Sequence, residues 1–492
     1  MNYFSFRRGW WKPWDWSTRA WVLAICVLAL VSPLLTRWFF LWQVPDVTLP
    51  FNVEDVVQRE ILKDDDAMVR YASALLSDRF EGGFTPDENS FHSMVEFYEA
   101  EEEAVAKPDR KWDKRFDTWL LSKKVALDEY RLASEMRYAS GPSLKSADVN
   151  TMVGVHQDSR KLVRLASLEA IRQERMGEFD VAWNWHLANL RFARHCQMPR
   201  YLICHLIGIG ARSYAYRGIA RWAEHASLSS DQLQVARQEL LTDRDMSIPN
   251  SELIKSEYLI LKNSMKLAEM PNHLLTFWRF AAPELPLILA GKRIVLWTIG
   301  QPEVVLRLAR QELVNNLEQI DVPPHLRCQS DSYKYEVVFQ TDQRARRIRG
   351  QLDSARLLAT IETDLEKLTG LEGRLLGARN IDRANRADAA RRCALDVALA
   401  AHQYQRRHGE FPATIEQLVP EYLETIPFDP MSEIGVSIHY RRAETGEAIV
   451  WSIGYDGIDD GGDILGLKPK DIGFQIRLNR QGAAKPEDQS QE

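Results

Sequence analysis

The residues best suited to chemistry lie in one short stretch, Gly454-Tyr455-Asp456-Gly457-Ile458-Asp459-Asp460-Gly461-Gly462-Asp463. Several carboxylates set among freely turning glycines suit a hard cation such as calcium, which takes about six to eight oxygen ligands. The spacing is not that of an EF-hand, because the D-x-D-x-D-G run and the closing Glu are absent. The competing reading is an acidic surface turn that binds nothing tightly. A second arrangement is His195-Cys196 with Cys204-His205. Four such side chains could hold zinc. Their spacing fits no standard finger, and Cys204 and His205 sit in an apolar run, which favours buried core residues. A Cys196–Cys204 disulfide is an alternative in an oxidising compartment, beside buried free thiols.

Familiar catalytic signatures are absent. The sequence has no H-E-x-x-H, G-x-S-x-G, Walker A loop, C-x-x-C or G-x-G-x-x-G. None of its 11 histidines has a Glu three residues before it, as carboxylate-bridged di-metal bundles require. No catalytic residue is assigned. Catalytic groups can converge from distant positions, so what is lost is the basis for naming a reaction.

The elements that must position the acidic loop begin at Asn385. A helix to His408 carries Cys393, Val397, Ala400, Ala401 and Tyr404 on one stripe. Arg406, Arg407 and His408 place cations in its last turn and Gly409 follows as the cap. Pro412 bars continuation. Thr414 and Gln417 have the spacing of a capping box for a short helix ended by Pro420. Asp429-Pro430 marks a turn, and Val436–Arg441 with Ala448–Ile453 reads as a hairpin around Glu444-Thr445-Gly446-Glu447.

Together, HGEFPATIEQLVPEYLETIPFDP, the hairpin and WSIGYDGIDDGGDI resemble the C-terminal domain of the major pseudopilin of type II secretion systems, over about Asp388 to Leu465. In that family the acidic loop binds calcium, which stabilises the fold and supports pilus assembly. The resemblance implies Asp456, Asp459, Asp460 and Asp463 as calcium ligands, with nearby backbone carbonyls. A pseudopilin carries its anchor at the start of the helix that packs on this domain, behind a prepilin-peptidase site. Here the apolar segment lies far upstream and no such site precedes it, so polymerisation is not implied.

That segment, Ala20–Val44, holds one full charge, Arg37. As a helix it would run roughly 37 Å, enough for a hydrocarbon core of about 30 Å. Trp38, Phe39, Phe40 and Trp42 crowd one end as an aromatic belt, with Arg37 placed to reach the headgroups. Before the span, Arg7, Arg8, Lys12 and Arg19 outweigh Asp15, which predicts a cytoplasmic N-terminus and an exported body. A cleaved signal peptide is the rival reading, but bulky residues stand where small ones are needed for cleavage.

The 492 residues, 45% hydrophobic and 27% charged, are ample for a sizeable core. A net charge of −6 argues against a nucleic-acid binder. Five cysteines make no disulfide framework. Between Pro45 and residue 384 the pattern is helical. Helices are expected at Glu54–Leu62, Asp66–Leu76, Ser90–Ala106 with the acidic run Glu99–Glu103, and Trp112–Tyr138. More follow at Asp148–Arg175, Phe179–Cys196, Tyr201–Ala211 (opened by Pro199), Asp231–Leu241, Glu252–Glu269 and Glu303–Ile320. Cys328–Gln340 alternates as a strand, Arg344–Arg349 is a basic helix face, and Leu274–Ile299 is apolar but too interrupted to span a bilayer. The turn Met176–Ala182, with Ala188 and Leu190, resembles that of a tetratricopeptide hairpin. It occurs once, whereas a solenoid needs about three copies.

The expected fold is mainly α: a basic N-terminus at 1–19, a single transmembrane helix at 20–44, a helical extracytoplasmic body at 45–384, a small α+β pseudopilin-like module at 385–478 and a disordered tail at 479–492. The expected function is that of a bacterial envelope protein of the inner membrane, anchored in the bilayer through 20–44. It would act by binding or scaffolding envelope protein partners, without nucleic acid. An accessory part of a secretion or pilus-type machine and an envelope hydrolase with an unannounced site are the alternatives.

Overall fold

The computed structural model describes residues 18–44, 46–56, 65–77, 112–148, 151, 153–265, 297–298, 300, 302–327, 378–465 and 469–477. The expected helix Ser90–Ala106, the strand in Cys328–Gln340, the basic run Arg344–Arg349, residues 479–492, the N-terminal cations before residue 18 and nearly all of Leu274–Ile299 lie outside them. The described part is mainly helical, with one N-terminal apolar helix and a small three-stranded sheet. The chain divides into two units, residues 1–51, 261–315 and 333–376, and residues 52–260, 316–332 and 377–492.

In the first unit α1 (Thr18–Gln43) is one apolar helix about 39 Å long at 1.5 Å per residue. Along Ala20–Trp42 no side chain is buried. Its last turn has no cation of its own. A later helix of the same unit, Glu303–Leu317, supplies one: Arg307 donates to the carbonyls of Leu41 (3.0 Å) and Val44 (3.1 Å). Arg310 pairs with Asp46 at 2.6 Å and donates to the Val47 carbonyl. The bonds from Arg307 satisfy carbonyls that a helix end leaves open. Arg37 donates to the Trp297 carbonyl at 2.7 Å, over that residue's ring.

The second unit runs through α2 (Val53–Val56), α3 (Ala67–Ser77), α4 (Arg115–Ser122), α5 (Lys124–Ser134), α6 (Gly154–Asp158), α7 (Arg160–Met176), α8 (Phe179–Gln197), α9 (Leu202–Ala223), α10 (Ser230–Asp245) and the start of α11 (Asn250–Ser264). With α12 assigned to Glu303–Leu317, α13 is Ala378–His408. Strands β1 (His439–Arg442), β2 (Ala448–Ser452) and β3 (Ile472–Ile476) pair antiparallel in the order β1-β2-β3, with His439 opposite Trp451 and Val450 opposite Phe474.

The hairpin of α7 and α8 forms as its turn residues require. Gly177 adopts φ +83°, its N–H bonds the Glu174 carbonyl (3.1 Å), and the Glu178 N–H reaches back to Gln173 (2.9 Å). This two-bond closure needs a residue tolerant of the left-handed region. Helices α8 and α9 then serve two cores. Trp185, Ala188, Phe192, Ile207 and Ala211 pack with α3, α4, α5 and α7. Leu190, Tyr216, Ile219 and Trp222 pack with α10, α13 and the sheet. Residues of the C-terminal strands therefore share a core with the helical body. Each large side chain buried this way contributes about 1.5–3 kcal/mol.

Several expected elements differ. The single helix over Trp112–Tyr138 is broken at Lys123 (ψ 7°), where the Ser122 hydroxyl bonds the Trp119 carbonyl and competes with the helical pattern. The helix expected from Asp148 starts only at Gly154, because Asp148 and Thr151 bond each other in a turn. Pro199 does not open α9, which begins at Leu202 after Arg200 turns through φ +59° and which runs on to Ala223. Helix α10 starts earlier and ends later than expected, with a reciprocal Ser229–Gln232 capping box. The box expected at Thr414 is absent: Gln417 accepts the Ala413 N–H, and Ile415–Leu418 is a 3-10 turn. Strand β1 starts at His439, since the residues before it bond the Pro427–Asp429 segment instead. The expected second strand forms as β2, and β3 adds a third.

Candidate functional site

A cleft of about 590 Å³ in the second unit is lined by five arginines and four aspartates among the described residues. One wall is the polar face of α13, where Asp382, Asn385, Arg386, Ala389 and Arg392 recur at helical spacing with Asp388 beside them. Helix α9 contributes His205 and Arg212. Gln197, the stretch from Arg244 to Asn250 and the segments Ile320–Arg327 and Phe428–Pro430 complete it.

Arg212, about 1% exposed, organises the floor. Its Nε donates to Asp243 Oδ2 (2.9 Å) and its Nη1 to Asp388 Oδ2 (3.0 Å), joining α9, α10 and α13. Arg194 Nε lies 3.3 Å from the other Asp243 oxygen. Burial opposes the Arg212 charge, but the two carboxylates outweigh it and hold its pKa above the ordinary value. At the rim, Arg327 donates to both oxygens of Asp382 (2.7 and 2.9 Å) and to the carbonyls of Ile320 and Val322. Arg386 donates to the carbonyls of Pro430 and Met431. Asp429 is fully used, accepting from Ser452 Oγ (2.6 Å), Ile453 N (2.8 Å) and Met431 N (2.8 Å). That aspartate of the F-D-P run ties a loop to β2.

Other polar atoms in the cleft are not used. Arg212 Nη2, Asp388 Oδ1, Gln197 Oε1 and His205 Nδ1 are buried without a hydrogen-bond partner among the described residues. Arg392 makes no hydrogen bond or ion pair among the described residues. Burial pushes His205 down to about 4, so it is neutral at pH 7.

The acidic loop lies between β2 and β3. Asp459 accepts from Trp451 Nε1 (2.8 Å) and the Gly461 N–H (2.9 Å) and lies 3.5 Å from His439. Asp460 pairs with Lys470 at 2.8 Å. Asp456 accepts the Ile458 N–H (3.1 Å). The carbonyl of Asp463 accepts from Lys470 and Asp471. A cation bound here would have to replace the Lys470–Asp460 pair. Among the described residues no three His, Cys, Asp or Glu side chains are grouped as a metal site. Asp471, which the sequence did not single out, accepts the Gly462 and Asp463 N–H groups (2.9 and 3.1 Å) and shapes the loop.

The His–Cys quartet is dispersed into the core. His195 is held by the Tyr71 hydroxyl and the Met136 carbonyl, both 2.9 Å away, while His205 bonds Asn385. Cys196 and Cys204 are buried free thiols.

A buried ionic cluster joins the hairpin to α9. Glu174 bonds Arg221 through both oxygens (2.8 and 2.9 Å) and His186 Nε2 (2.9 Å), with His225 at 3.6 Å. Burial would raise its carboxyl pKa, but Arg221 and the imidazoles hold it well below the usual range.

Neither cluster was evident beforehand. Their members lie far apart in sequence, and the polar stripe on α13 alone resembles a solvated face. No protein-family model, curated protein or solved structure matches this chain.

Proposed function

We propose that this chain is a single-pass protein of the bacterial inner membrane, N-terminus cytoplasmic, whose body works by binding in the extracytoplasmic space. The observation that carries the proposal is the exposure of α1. Leu23, Leu28 and Leu30 are 67%, 69% and 73% exposed along a helix long enough to span. At about 25 cal/mol per Å² such a surface is costly in water and at home in lipid. The bulky aromatic end argues for an anchor that stays attached. The cleft, with polar atoms left over after the fold has used the rest, supports binding as the work of the body.

The test is carbonate extraction combined with impermeant thiol labelling of Glu410→Cys and Asn2→Cys in spheroplasts. A photo-crosslinker at Ile434, which is 86% exposed, would report partners. Membrane retention, labelling at 410 but not at 2, and a crosslinked envelope partner are expected. Release by carbonate, or labelling at position 2 alone, contradicts the proposal.

A second reading, an accessory part of a secretion or pilus-type machine, is favoured by α13 lying against a three-stranded antiparallel sheet beside the acidic loop. In that reading calcium is held by Asp456, Asp459, Asp460 and Asp463. Saturable stabilisation of the full chain by calcium, abolished in D459A/D460A, is then expected. A melting curve indifferent to both calcium and EDTA removes this support.

A further inference from the structure

We propose that the cleft binds a small organic oxyanion, a carboxylate or phosphate group carried on a molecule with an apolar part. This rests on the binding role proposed above. Arg212 has three N–H bearing nitrogens, and two are taken by Asp243 and Asp388. The third, Nη2, is buried without a partner among the described residues. Leaving such a donor unmade costs about 1–3 kcal/mol, more for a charged group. Arg392 lies one turn beyond Asp388 on α13, a spacing that permits an ion pair, yet it makes none among the described residues. Burial opposes its charge, but Tyr216 and Asp388 favour that charge more than Arg212 disfavours it, so its pKa is held above the ordinary value.

Two guanidinium groups with unused donors lining the same cleft are what a bridging oxyanion would satisfy. Guanidinium presents paired donors that match carboxylate and phosphate oxygens. The other arginines of the lining are engaged: Arg327 by Asp382, Arg386 by two carbonyls and Arg244 by Asp245.

The rest of the cleft selects the ligand class. Ile320, Val322, Pro323, Pro324 and Phe428 line it, and an inorganic ion would leave them uncovered. Asp388 Oδ1 and Gln197 Oε1 are open acceptors, so a ligand with an N–H or O–H near its anion fits best. A volume of about 590 Å³ is within the range of small-molecule pockets.

The test is calorimetry of the full chain in detergent with four probes: acetate, N-acetyl-L-leucine, inorganic phosphate and phenyl phosphate. At least one apolar-bearing probe is expected to bind ten times more tightly than its bare counterpart. The uncharged N-acetyl-L-leucinamide should not bind. R392Q should weaken binding at least tenfold, with R392K intermediate and both folded by circular dichroism. If R392Q fails to fold, an R392K affinity below wild type carries the test. No binding by any probe, equal binding by bare and apolar-bearing anions, or binding untouched by these variants overturns the proposal. A chain that crosslinks partners but binds no probe refutes this ligand class and leaves the binding role standing.

Discussion

Of the three glycines of helix α9, Gly208 and Gly210 should respond to Ala in opposite directions. At Gly208 an added Cβ would lie 2.7 Å from the Ala193 carbonyl oxygen and 3.2 Å from Cys196 Cβ, both on α8. At exposed Gly210, two residues on, it meets nothing within 4 Å. An interior helical Gly→Ala change alone gains up to about 1 kcal/mol. G210A should therefore stabilise by about 0.5–1 kcal/mol. G208A gains the same propensity but forces α9 from α8, an overpacking cost of about 1–3 kcal/mol against backbone that cannot rotate away. The two variants should differ by about 1–3 kcal/mol although each adds one methyl group to the same helix. Urea unfolding followed by tryptophan fluorescence reads this as midpoints moving apart at constant slope. Arg212 lies one turn beyond Gly208, so G208A should also weaken cleft binding. A G208A variant at least as stable as wild type would refute the close α8–α9 approach on which the cleft floor depends.

Three further outcomes are expected. Burial pushes His156, His195 and His205 down to about 4 and His402 to about 3. The unfolded chain binds more protons below about pH 6.5, so stability is lost as pH falls from there toward 4, by about 2 kcal/mol per group at pH 5. H402Q should shrink the difference between melts at pH 8 and pH 5 by about that amount, and an unchanged difference counts against a neutral buried ring. Burial raises Glu257 to about 7 despite its bond to the Leu202 N–H. Its folded pKa exceeds the unfolded one, so stability is lost as pH rises from about 4.5 through 7. E257Q should gain on wild type over that window by up to about 3 kcal/mol, and parallel pH curves would contradict the raised carboxyl. E174Q leaves Arg221 buried without its counter-charge and should cost about 3–5 kcal/mol in urea unfolding, whereas a loss under 1 kcal/mol would mean that the cluster relaxes.

The parts of the fold legible in the sequence were those governed by local rules. The Gly177 turn, the Gly409 cap, the apolar length of α1 and the β1–β2 hairpin follow from backbone freedom and periodicity. Strand β3 is hard to read in the sequence although Ile472, Phe474 and Ile476 alternate, because the strand is short and follows a glycine-rich loop. The break at Lys123 was hidden because the apolar pattern continues across it. The acidic loop was visible as composition, but its partners Trp451, Lys470 and Asp471 depend on strand pairing. The cleft was the least legible feature. Arg212, Asp243 and Asp388 belong to three helices, and only packing brings them within 3 Å. A sequence displays charge types, but which charges the fold consumes and which it leaves open is a tertiary property.

The most direct measurement of the central claim is the position of an anomalous scatterer. Crystals of the full chain grown with N-acetyl-4-bromophenylalanine would locate a carboxylate-bearing ligand through its bromine. A bromine peak is expected beside Ile320–Pro324 and Phe428, with the carboxylate on Arg212 and Arg392. A peak elsewhere on the protein, with the cleft unaltered at saturating ligand, would contradict it.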